Sequence, residues 1–105
     1  MFFGLIRSPE MEDLARTLAD RFAKQYPPAL QDDARESAAK KRDNAMSAVF
    51  SQLAPVRRTT KLGVIRKAVL ANTLKWELKE RGYRKDVVNA VVYDILFWLV
   101  QKGKE

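Results

Sequence analysis

The groups in this sequence whose types and spacing could do chemistry are two carboxylate clusters and one run of cations. The clusters are Glu10/Glu12/Asp13 and Asp32/Asp33/Glu36; the run places ten Lys/Arg between Arg57 and Lys85 against only Glu77 and Glu80. Paired carboxylates can hold a metal or move protons, but the di-metal helical pattern couples each Glu to a His three residues on. This chain has no histidine. Each acidic cluster also opens a predicted helix, where carboxylates complement the positive end of the helix dipole and need no further role. Ser8, Ser37, Ser47 and Ser51 have no histidine to activate them. The glycines at 4, 63, 82 and 103 stand too far apart for a phosphate-binding loop. No lysine is singled out as a nucleophile. The expectation is a protein that is not an enzyme, with no cofactor, no metal and no small-molecule ligand.

The cations carry a different chemistry. Residues 1–55 hold eight Lys/Arg and eight Asp/Glu, whereas residues 56–105 hold twelve and five, so the second half carries the whole formal charge of +7. A neutral half joined to a cationic half points to an anionic partner. At 100° per residue, Lys61, Lys75 and Lys79 share one edge of the third predicted helix, while Arg66 and Lys67 point elsewhere. Arg57 and Arg58 precede that helix, and Arg81, Arg84 and Lys85 follow it. The competing account is a solvated surface that keeps the chain dispersed. Phosphate contact would be salt-dependent and largely blind to base sequence.

Positioning these groups falls to four helical segments, approximately 9–25, 29–54, 60–81 and 86–101, within one domain spanning 1–105. In the first, Ser8 caps, Pro9 occupies the first turn, and Met11, Leu14, Ala15, Leu18, Ala19 and Phe22 form one apolar stripe. The second is alanine-rich, with Leu30, Ala34, Ala38, Ala45 and Val49 near one face, Lys41 intruding, and a possible break at Asp43-Asn44. Pro55 is expected to stop it. Thr59 or Thr60 would cap the third helix. That helix shows two apolar stripes, Leu62-Ile65-Val69-Trp76 and Leu70-Leu74-Leu78, with Gly82 just past its end in the left-handed conformation. The short connections favour antiparallel neighbours, and the fold class is all-α: a single-domain up-and-down four-helix bundle.

The fourth helix, capped by Asp86 and ended by Gly103, is apolar almost all round. Val88, Val91, Val92, Ile95 and Leu99, widened by Leu96 and Trp98, form one face; Ala90, Tyr93, Phe97 and Val100 form a second on nearly the opposite side. Such a helix is central in its fold or shared with a partner. Asp94, set among these side chains, reads as a rim residue or one half of an ion pair. The apolar character of this helix also argues against a helix-turn-helix, whose recognition helix must show polar groups to base edges.

Two functional expectations follow. The first is a non-catalytic binding protein whose basic third-helix region contacts nucleic acid through Arg57, Arg58, Lys61, Lys75, Lys79, Arg84 and Lys85. The second is a protein-interaction adaptor or homodimer built on Ala90, Tyr93, Phe97 and Val100. A third, attachment to an anionic membrane surface, would use Phe2, Phe3, Leu5 and Ile6 beside the charge. The stretch Val87–Val100, broken by Asn89 and Asp94, falls short of the about 20 apolar residues a transmembrane helix needs. With no cysteine and no secretory leader pattern, the reading is cytoplasmic.

Overall fold

Ser8 and Pro9 start the first helix as their positions suggest. The Met11 backbone N–H donates to Ser8 Oγ at 3.4 Å, and α1 runs Pro9–Gln25. The structure, a computed structural model, describes residues 8–59 and 63–102; of Arg58, Thr59 and Lys102 only the backbone is described. Thr60, Lys61, Leu62, Gly103 and the N-terminal Phe2, Phe3, Leu5 and Ile6 therefore lie outside the described residues. Within them the fold is a four-helix bundle with no strand: α1, then a 3-10 turn at Pro28–Leu30, α2 (Glu36–Thr59), α3 (Val64–Glu80) and α4 (Lys85–Lys102).

The core is assembled from one stripe of each helix. Met11, Ala15, Leu18, Ala19 and Phe22 of α1 meet Ala45, Val49 and Leu53 of α2, Leu70, Leu74 and Leu78 of α3, and the Val87–Leu99 face of α4. Burying a leucine-sized side chain contributes roughly 1.5–3 kcal/mol, so these stripes dominate the folding free energy. α1 is the shared wall, packed against α2 and α3, while α4 lies on α3 and touches α2 more lightly. The shortest principal extent is 18 Å, room for two layers of helices with axes the usual 8–10 Å apart. In two layers, every helix keeps a face toward solvent.

Four boundaries differ from the sequence expectation. α2 begins at Glu36 rather than near 29, because Pro27-Pro28 fix a 3-10 turn and Asp33 Oδ1 accepts the Arg35 backbone N–H at 2.9 Å. It is continuous through Asp43-Asn44 and also through Pro55, which does not stop it. An interior proline costs about 3 kcal/mol through a lost hydrogen bond and crowding. Here fully buried Leu53 on one side and half-buried Val56 and Arg57 on the other hold the helix in register across it. Thr59 is consequently the last residue of α2, not a cap, and Gly63 occupies the N-cap of α3. Asp86 sits inside the first turn of α4, where Val88 N–H bonds back to the Arg84 carbonyl.

The α3–α4 turn is the most constrained connection. Gly82 adopts φ +101°, as its place past the helix end requires. The Gly82 N–H reaches Lys79 O at 3.0 Å and the Tyr83 N–H reaches Leu78 O at 3.2 Å, the paired bonds of a Schellman motif. Tyr83 is buried, its ring 5.5 Å from Phe22 edge-on and stacked over Tyr26 at 6.4 Å. Its hydroxyl donates to the Tyr26 carbonyl. Gln31 closes the other side, donating to Gly82 O at 2.9 Å and accepting from the Arg84 N–H at 2.8 Å.

Burial raises the Tyr83 phenol to about 12 from its usual 10. The folded state thus holds the proton more tightly than the unfolded chain. Its contribution is complete below pH about 10 and is lost as pH rises toward 12. Tyr83→Phe is expected to cost about 1 kcal/mol by orphaning the Tyr26 carbonyl, and to flatten the alkaline loss of stability. Urea unfolding from pH 8 to 12 measures both; an unchanged alkaline limb in the variant would remove Tyr83 as its source.

Candidate interaction surface

Of the seven cations singled out in the sequence, the five whose side chains are described do not form one face. Arg57 sits in the last turns of α2, half-buried, with its guanidinium 5.0 Å from the ring centre of Trp98. Arg84 and Lys85 lie at the opposite end of α4. Trp98 and Lys85 are thirteen residues apart on that helix, about 20 Å along its axis at 1.5 Å per residue. Arg58 belongs to α2 by its backbone, and Lys61 lies outside the described residues. Lys75 and Lys79 are exposed together on the outer side of α3, as the helical spacing requires.

Several arginines are occupied by the chain's own carboxylates. Arg84 pairs with Asp32 and, at 3.1 Å, with Asp86, whose carboxyl the Arg84 hydrogen bonds hold below the ordinary aspartate range. Arg81 bonds Asp20 and Glu77, the latter at 2.7 Å. Arg35 holds Asp33 at about 2 through side-chain and backbone hydrogen bonds. Exposed pairs of this kind contribute only about 0–1 kcal/mol each to stability. Their larger consequence is local neutralisation. It leaves Lys75, Lys79 and Lys85 of α3 and α4 without an ion pair among the described residues.

The apolar surface is more concentrated than the charge. Val64, Ile65, Trp76, Tyr93, Phe97 and Val100 are the large apolar side chains exposed among the described residues, and all belong to α3 or α4. The two-stripe expectation for α3 is therefore corrected: Leu70-Leu74-Leu78 is core, but Ile65 and Trp76 face solvent and Val69 is half-buried. Among the described residues no further element covers that stripe. On α4, Val88, Val91, Val92, Ile95 and Leu99 are buried, whereas Tyr93 is 67 % exposed, Phe97 52 % and Val100 47 %, with Ala90 half-buried beside them. α4 is not central, and its second face is a surface.

Tyr93 and Phe97 stack on one another at 6.2 Å with 13° between ring planes. The pair forms a ridge with a groove on each flank. On the α3 side, Tyr93 borders a groove floored by Ala68, Ala71 and Val92 and rimmed by Lys75. On the α2 side, Phe97 borders a second groove walled by Met46, Phe50 and Trp98 and rimmed by Asp43 and Asp94. Phe50 and Trp98 stack at 5.2 Å behind it. Asp94 is exposed at this rim, and neither it nor Asp43 makes an ion pair among the described residues. Asp43 and Phe50 were not flagged by sequence, because only the packing of α2 beside α4 brings them to the ridge.

No group of three metal-ligating side chains occurs among the described residues, and no helix there is long and apolar enough to cross a membrane. No protein family, curated protein or solved structure matches this chain.

A surface ridge and a core face respond differently to truncation. In solution dilute enough to keep single chains, Tyr93→Ala and Phe97→Ala are expected to change unfolding free energy by only about 0.5 kcal/mol or less, as at ordinary surface sites. Leu74→Ala or Ile95→Ala should cost about 2–5 kcal/mol. Guanidinium titrations of the four variants make the comparison, and a core-sized loss at Tyr93 or Phe97 would contradict this placement.

Proposed function

We propose that this chain is a non-catalytic protein-interaction module that acts through the outer face of α4. One observation carries the reading: the stacked Tyr93–Phe97 ridge, more than half exposed, lies between two grooves on a helix whose opposite face already supplies the core. Aromatic side chains bury roughly 150–250 Å² each and dominate interface energetics. A pre-stacked pair also has less rotamer freedom to lose on binding. Truncation that leaves stability intact separates this role from a structural one.

The test uses a photo-crosslinking phenylalanine analogue placed at position 93 of the full chain in cells, with position 24, an exposed site on α1, as control. Discrete adducts of defined mass at position 93 and none at position 24 are the expected result. Adducts of equal yield at both positions, or none at either, would overturn the reading.

A specific observation favours a second reading, contact with single-stranded nucleic acid. Lys75 and Lys79 flank Trp76, which is 62 % exposed, and cations interleaved with an aromatic are what stacked bases require. Trp76 fluorescence should then quench on titration with an oligonucleotide at low salt and recover as salt rises. Quenching that ignores salt, or none, rules this contact out.

A further inference from the structure

We infer that the occupant of the α4 face is a second copy of this chain, with the two α4 helices side by side and parallel, each Tyr93–Phe97 ridge seated in the other copy's α3–α4 groove. The inference rests on the reading of this face as an interface and names its partner.

Shape supports it first. The α3–α4 groove is open to solvent and offers about 430 Å³. Its floor of Ala68, Ala71 and Val92 is low enough to admit a ring from outside, and Tyr93 stands at its edge as the knob. A surface carrying both knob and hole side by side is self-complementary, which is what an isologous two-fold contact demands.

Charge then selects the orientation. The two flanks of the ridge have opposite sign: Lys75 on the α3 side, Asp43 and Asp94 on the α2 side. Lys75 lies five residues before the end of α3 and Asp94 nine after the start of α4, an offset of about 6 Å at 1.5 Å per residue, which an extended lysine side chain spans. A two-fold axis parallel to α4 carries the α3 flank of each copy onto the α2 flank of the other. Lys75 of each copy then faces Asp94 of the other. An antiparallel arrangement, with the axis across the helices, sets each flank against its own copy and brings like charges together. Complementary potentials of this kind fix register and reject the wrong docking.

Sedimentation velocity of the full 105-residue chain over a wide concentration range tests the inference. The expected result is a concentration-dependent species of twice the 12.1 kDa monomer mass. Phe97→Arg should abolish it. Lys75→Glu and Asp94→Lys should each weaken it roughly tenfold, as like charges meet across the interface, and the double variant should restore it. All three positions are exposed, and far-ultraviolet circular dichroism verifies that each variant keeps its helices. A dimer indifferent to both charge reversals would overturn the parallel arrangement. A monomer at every concentration would overturn the second copy as occupant. If adducts to a different polypeptide still form at position 93, the interaction reading survives that loss; if they do not, both fall together.

Discussion

The seating of the α3–α4 turn on the end of α1 is the contact on which the remaining geometry depends. Tyr83 enters between Phe22 and Tyr26 and donates its hydroxyl to the Tyr26 carbonyl, while Gln31 grips the turn from outside through Gly82 O and Arg84 N–H. These bonds join residues more than fifty positions apart. Gly82 makes them possible, because its left-handed backbone turns the chain sharply enough to aim Tyr83 inward. With the turn fixed, α4 can roll neither toward nor away from α3. Val88, Val91, Ile95 and Leu99 must then face the core, and Tyr93 and Phe97 must face out.

The same packing decides what becomes of the cationic half. Folding brings Asp20 to Arg81 and Asp32 to Arg84, so carboxylates from the neutral half neutralise arginines of the basic half. Arg57 lies over Trp98 and supports the wall of the α2–α4 groove. What remains among the described residues is a short set of cations, Arg66, Lys67, Lys75 and Lys79 of α3 and Lys85 at the start of α4. The formal charge of +7 is unchanged by these pairs, but beside the ridge it is a local difference in sign between the two flanks. Such a difference orients a partner more than it attracts one.

Where a pattern is local, the sequence shows it. The α1 stripe, the Schellman glycine and the two faces of α4 all follow from spacing within one helix, and each appears in the structure with the same residues. The misjudged features depend on partners distant in sequence. Pro55 is tolerated because Leu53 and Arg57 are held by other elements. Ile65 and Trp76 are exposed because no other described element packs over a second α3 stripe. Asp43 reaches the candidate surface only through the packing of α2 beside α4. Tyr83 was legible in principle, since an aromatic two residues past the helix end, with Leu78 at the matching position inside it, is the apolar contact that accompanies a Schellman turn.

Hydroxyl-radical footprinting of the full chain, dilute and concentrated, addresses the central claim directly, because it reads the ridge residue by residue. In dilute solution Tyr93 and Phe97 should oxidise readily, like Trp76. As concentration rises, Tyr93 and Phe97 should become protected while Trp76, which borders neither groove, stays reactive. Oxidation of all three at a constant ratio across the range would contradict an interface built on α4.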